Sequence, residues 1–192
     1  MGVQSSFGFT LGRMEKGKLN KITDVPGVRV GHVTRHEGGI NTGVTAILPH
    51  TGDTFHDKCP AASHVINGFG KSIGLVQVNE LGTIETPLLL TNTLSVGTAA
   101  TALVKYMLER NADIGCDTGT VNPMVFECND GHLNDIRGLH VTEQNALDAL
   151  ANAVDDFEEG AVGAGSGMSC YSLKGGIGSA SRVFVLYGNK YT

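Results

Sequence analysis

Apolar and polar residues alternate along Gly27-Val-Arg-Val-Gly-His-Val33, the period-two pattern of a half-buried strand. Thr42-Gly-Val-Thr-Ala-Ile-Leu48 is β-branched and apolar and predicts a second strand, with Glu37-Gly38-Gly39 supplying the turn between them. From Leu94 to Arg110 the period changes. Val96, Ala99, Ala100, Leu103, Val104, Met107 and Leu108 recur at three- and four-residue spacing, which places them on one face of a helix. A further helix is expected to start after Thr142, a good N-cap with Glu143 in the first turn, and to carry the stripe Ala146, Ala149, Leu150, Ala153, Val154 and Phe157. Between the helices, the C-terminal half of Thr118–Glu127 is strand-like, and Arg182–Tyr187 is a later apolar run. Strands and helices mix without strict βαβ alternation, so a layered α/β or α+β sandwich is expected rather than a doubly wound nucleotide fold. The chain contains no internal repeat.

Composition bounds this picture. At 192 residues with 41% hydrophobic and 17% charged, the chain is long enough for a substantial core and is expected to form a single domain over 1–192. The formal net charge of -5 and the scatter of the basic residues disfavour nucleic acid or an anionic membrane as partner, and no apolar run approaches a membrane span. The opening MGVQSSFGFTLGRMEKGKLNKITD is broken by Gly, Arg and Glu before any leader-like stretch forms, so a cytoplasmic location is expected. Cys59, Cys116, Cys128 and Cys170 lack a CxxC pair and are expected to be reduced thiols. Cys116, Cys128, His132 and His140 match no familiar zinc spacing, and neither metal nor cofactor is expected.

Three segments invite a chemical reading. The glycines at 160, 163, 165 and 167, followed by 175, 176 and 178, satisfy neither GxGxxG nor the P-loop pattern. They are expected to permit close approach of neighbouring strands or turns. Ser166 lacks the glycines of a GxSxG elbow, because Ala164 and Met168 stand in their places. In Pro123-Met-Val-Phe-Glu-Cys-Asn-Asp-Gly-His-Leu-Asn-Asp135 a strand-like run delivers Glu127 to a turn-forming cluster. A carboxylate there either binds a ligand ammonium through charge-assisted hydrogen bonds or is a solvated acid beside an Asn-Asp-Gly turn. The acids from Asp130 to Asp135 do not have calcium-loop spacing.

Five segments together resemble the L-aminopeptidase/D-esterase (DmpA) family, which includes the β-peptidyl aminopeptidases. They are Leu19–His32, Thr42–His50, His64–Gly70, Glu127–Ile136, and Gly163–Met168 with Lys174–Gly178. The resemblance implies a four-layer α/β/β/α sandwich, incomplete in this chain, whose precursor cuts itself into α and β subunits. It further implies a Ser or Thr at the new N-terminus of β as nucleophile, with its own α-amine as base. On this reading the 192 residues are the N-terminal part of the α-subunit region and contain no catalytic residue, so the chain alone is expected to be inactive. Glu127 falls where the family places the acid that holds the substrate's free amine, and Asn134 and Asp135 are expected to shape the loop beside it. The implied partners are a peptide or an amino-acid amide or ester, a β segment that completes the fold, and further copies in a homo-oligomer. The chain ends at Tyr191-Thr192, before the family's oxyanion-hole asparagine and cleavage site, so exposed sheet edges and apolar faces are expected. The alternative is a non-catalytic remnant or amine-binding module.

Overall fold

The computed structural model describes residues 12–192. Residues 1–11, which open the segment weighed above as a leader, lie outside the described residues. The strands β1 (Arg29–Glu37) and β2 (Ile40–Leu48) pair antiparallel from Arg29 opposite Leu48 to Glu37 opposite Ile40, so Gly38 and Gly39 form the hairpin turn. Gly38 has φ of 56°, a conformation that glycine adopts without steric cost. Both strands are longer than the sequence pattern suggests, because residues 34–37 and 40–41 continue the ladder beyond the expected runs.

Short elements follow: β3 (Cys59–Pro60), helix α1 (Leu75–Leu81) and β4 (Thr83–Ile84). The strand β5 (Leu88–Asn92) then enters the sheet antiparallel to β2, and β6 (Met124–Cys128) lies parallel to β5 on its other side. The sheet order is therefore β1-β2-β5-β6. The parallel connection runs through helix α2 (Val96–Arg110), which packs on β5 and β6. Helix α3 (Glu143–Ala151) lies beside it on β1 and β2.

The core lies between these helices and one face of the sheet. Val44, Ala46, Leu89 and Val125 from the strands meet Ala99, Ala102, Leu103, Ala146 and Ala149 from the helices, all fully buried. Alanines on the helix faces allow the close approach. At Gly31 a β-carbon would lie 2.1 Å from the Ala149 carbonyl oxygen, so α3 and β1 meet backbone to backbone.

Both helical stripes are trimmed relative to the sequence reading. Val96, Ala99, Ala100, Leu103 and Met107 are buried as expected, whereas Leu108 is exposed and Val104 only partly covered. Thr142 caps α3 by accepting the Asn145 amide at 3.3 Å, and the Asn145 side chain returns the bond to Thr142 N–H at 3.0 Å. The helix ends at Ala151, so Ala153, Val154 and Phe157 are not part of it. The chain instead turns to exchange backbone hydrogen bonds between Val154 and Val30, which adds a bridge to the outer edge of β1.

The opposite face of the sheet receives the glycine-rich segment. Gly163–Gly165 form a 3-10 turn packed on β1, β2 and β5. A β-carbon on Gly163 would sit 2.4 Å from Thr45 Oγ1, and one on Gly167 would sit 2.0 Å from the Asn41 carbonyl, so these glycines serve close chain approach as the spacing suggested. Two small hairpins follow, β7 (Ser169–Cys170) with β8 (Leu173–Lys174), and β9 (Phe184–Leu186) with β10 (Asn189–Tyr191). Tyr171, Leu173, Val185 and Tyr187 on these hairpins are exposed.

Candidate active site

Glu127 occupies the penultimate position of β6, with Thr91 of β5 as its register partner. The outer edge of β6 is extended by Ile73, which exchanges two backbone hydrogen bonds with Val125. The chain leading into Ile73 thus runs beside the end of β6. There the Lys71 backbone N–H donates to Glu127 Oε1 at 3.1 Å. From the β5 side, the Thr93 hydroxyl donates a short hydrogen bond to Oε2. The carboxylate is therefore clamped between both neighbours of its strand, each oxygen holding one donor and keeping acceptor capacity for another.

A groove of about 630 Å³ opens next to it, lined by Ala62–Gly68, Gly70, Ser72, Leu75 and Phe126. Gly70 joins groove and acid, since a β-carbon there would lie 3.5 Å from Glu127 Oε1. Phe69 on the same loop is exposed, and Lys71 Nζ lies 3.5 Å from its ring centroid. An anionic head at the rim of a mainly apolar groove suits a ligand with an ammonium group and an organic side chain.

Directly after β6, the chain is fixed by a buried polar network. Asp130 is 1% exposed. Its Oδ2 accepts the Thr42 hydroxyl at 2.6 Å, and its Oδ1 accepts the Asn134 side-chain amide at 3.0 Å. Asn92 at the end of β5 donates to Thr42 Oγ1 at 2.9 Å, and its own oxygen accepts Ser95 N–H at the start of α2. Asn134 Oδ1 in turn accepts Asn41 N–H at 2.9 Å. Strand β2, strand β5, helix α2 and the 128–135 loop are thereby tied together below Glu127. Asp135 lies on the outside of the loop, where its carboxylate pairs with His140 Nε2 at 3.0 Å and its N–H donates to the Gly39 carbonyl.

Sequence reasoning singled out Glu127, Asn134 and Asp135, and all three lie on this one segment. It missed Asp130, Thr42, Thr93 and the Lys71 amide. Asp130 reads as a turn residue in Asn-Asp-Gly, and nothing local marks an acid whose partner is 88 positions away. Of the four residues considered as a zinc set, His140 is engaged by Asp135, and Cys128 stands exposed beside Glu127. Burial raises the Cys128 thiol above its ordinary value, and the Glu127 carboxylate adds to the shift, so this cysteine is not an activated thiolate. Ser166 is buried under the glycine-rich turn, with its N–H donating to the Gly163 carbonyl.

Residues 20–192 match peptidase family S58. The chain belongs to that family. It is 40% identical to the beta-peptidyl aminopeptidase BapA of Sphingosinicella microcystinivorans over 186 residues, which cover 92% of this chain and 46% of the relative. Among solved structures, a protein of Pyrococcus horikoshii OT3 superposes with a TM-score of 0.95 at 55% identity, covering 99% of this chain and 56% of that one. The L-aminopeptidase D-Ala-esterase/amidase of Ochrobactrum anthropi, a prototype of the serine aminopeptidases, superposes with a TM-score of 0.87 at 36% identity, covering 97% and 54%. The family S58 chain thus has the variant Ntn-hydrolase fold of that enzyme, with one helix layer and one sheet layer of the sandwich in the elements described above. It spans about half the length of the relatives it matches. Among the described residues no helix is long and apolar enough to cross a membrane.

Proposed function

We propose that this chain supplies the scaffold and the amine-recognising acid of an aminopeptidase that releases N-terminal residues from peptides, amides or esters. In this reading Glu127 accepts hydrogen bonds from the substrate's free ammonium, and Asn134 and Asp135 shape the loop that presents it. The nucleophile is an N-terminal Ser or Thr freed by self-cleavage and lies outside the 192 residues. Its hydroxyl attacks the substrate carbonyl with the α-amine as base, and donors near it stabilise the tetrahedral oxyanion. The remaining segment completes the sandwich, and the enzyme works in the cytoplasm as a homo-oligomer.

The observation that carries this reading is the clamped carboxylate. Glu127 is held at a strand end by the Lys71 amide and the Thr93 hydroxyl, on the rim of an apolar groove, with no cation paired to it in the described residues. An ammonium in that position gains charge-assisted hydrogen bonds that an N-acylated substrate cannot make.

The test is Glu127→Gln in the complete enzyme. Loss of hydrogen bonds to a charged acceptor of about 1.5–3 kcal/mol lowers kcat/KM for free-amine substrates by roughly ten- to a hundredfold. Self-cleavage, which involves no substrate ammonium, proceeds as in the parent. Equal loss of processing and turnover would instead assign Glu127 to folding.

A further inference from the structure

A second cleft, of about 320 Å³, opens on the opposite end of the sheet from Glu127, between the start of β1, residues 49–54 and the C-terminal end of α2. Two arginines, Arg29 and Arg110, are among the residues that line it. No carboxylate among the described residues forms an ion pair with either. The Arg29 Nε is buried and has no hydrogen-bond partner. Arg110 donates to the Tyr106 carbonyl at 3.2 Å and lies 3.5 Å from the centre of the Tyr106 ring, which fixes its plane at the cleft wall. Thr51 and Thr54 line the same opening.

The acid in this lining is Asp53, and it is turned to its own loop. Its Oδ1 accepts the Phe55 N–H at 3.0 Å, and its Oδ2 lies 4.0 Å from His56. His50 is likewise satisfied, because Nδ1 accepts the Gly52 N–H and Nε2 donates to the Asp57 carbonyl. The C-terminal end of α2 presents a negative partial charge here, so attraction of an anion rests on the two arginines. Two like charges sharing one cleft repel, and a dianion with several acceptor oxygens offsets that repulsion and accepts from more than one donor.

We propose that this cleft binds a phosphoryl group, held by Arg29 and Arg110, at a site distinct from the Glu127 groove. The source is inorganic phosphate or a small phosphate monoester, which present the same tetrahedral dianion.

The test uses the protein as isolated from its source, with sodium phosphate followed by calorimetry and by ³¹P line broadening, against sodium chloride at matched ionic strength. Arg110 is exposed on the last turn of its helix, so Arg110→Gln leaves the core untouched. Phosphate binds the parent protein and the exposed-site control Arg13→Gln equally, while Arg110→Gln and Arg29→Gln each weaken it roughly tenfold, the loss of one charged hydrogen-bonding group. Phenyl phosphate that displaces inorganic phosphate identifies a monoester site, and its failure to do so identifies a free-phosphate site. Absence of phosphate binding beyond that of chloride, or full affinity retained in Arg110→Gln, overturns the proposal.

Discussion

The Thr42 hydroxyl donates to Asp130 Oδ2 at 2.6 Å across a separation of 88 residues, and this bond joins the first hairpin of the sheet to the loop that follows Glu127. Both residues are 1% exposed, so neither group has water as an alternative partner.

Replacing either residue therefore strands the other. Asp130→Asn turns an acceptor towards a donor and is expected to cost about 2–3 kcal/mol, and Thr42→Val about 1–2 kcal/mol, by the usual penalty for an unsatisfied buried group. The double variant should cost less than the sum, since the two share one bond. Denaturant unfolding of the three variants measures this, and strict additivity would show that the bond carries no stability.

Thr93 orients Glu127 without adding charge of its own. On the proposed function, Thr93→Val in the complete enzyme should raise KM for free-amine substrates by roughly five- to tenfold while kcat changes much less, corresponding to about 1–1.5 kcal/mol of lost hydrogen bonding. Thr93→Ser, which keeps the hydroxyl, should restore the parent KM. A Thr93→Ser enzyme as impaired as Thr93→Val would show that the hydroxyl is not what sets KM.

Close packing of α3 on β1 has a direct test in Gly31. A β-carbon there would meet the Ala149 carbonyl at 2.1 Å and the Ala153 amide at 2.7 Å, both backbone atoms that cannot rotate away. Gly31→Ala should destabilise the fold by about 2–4 kcal/mol, at or above the upper range for overpacking. Gly39→Ala, with no neighbour within 4 Å of the added carbon, should be neutral within about 0.5 kcal/mol. Thermal unfolding compares the pair.

His32 makes stability depend on pH near neutrality. Burial lowers its pKa below the ordinary 6.5, against the opposing pull of the Glu158 carbonyl. Its Nε2 donates to that carbonyl at 3.0 Å, which leaves Nδ1 as acceptor for the Thr45 hydroxyl at 2.9 Å. Thr45 Oγ1 in turn accepts the Ala164 N–H, so the neutral ring anchors the glycine-rich turn to the sheet. Because the folded state takes up the proton less readily than the unfolded chain, the contribution is complete above about pH 6.5 and is lost as pH falls below it. The parent protein should lose thermal stability as pH falls below about 6.5 in part through this group. His32→Gln should flatten that slope, and an unchanged slope would remove His32 as its cause.

The first hairpin and the two long helices were legible because their periodicity reports one buried face. Strand β5 was not. Leu88, Leu89 and Leu90 form an unbroken apolar run without the alternation that marks a half-buried strand, since β5 is an interior strand packed by α2 on one face and by the Gly163–Gly165 turn on the other. Helix α1 is only seven residues long and starts from Gly74 at φ of 98°, with neither a side-chain cap nor a full stripe to announce it. The stripe of α3 extends too far on the sequence reading because Phe157 is buried at helical spacing from Ala153, although the backbone between them bridges β1 at Val154 and then bends.

By itself, the sequence determined the element types over their periodic stretches, the likeness to an aminopeptidase family, and the presence of an acid at the end of a strand. Tertiary structure alone decided which groups hold that acid. The Lys71 amide is 56 positions and the Thr93 hydroxyl 34 positions from Glu127, and Asp130, just after β6, finds Thr42 of β2 only because the sheet order places β2, β5 and β6 together. Periodicity records which face of an element is buried, a local property of the chain, whereas a polar contact between distant segments depends on sheet order and register.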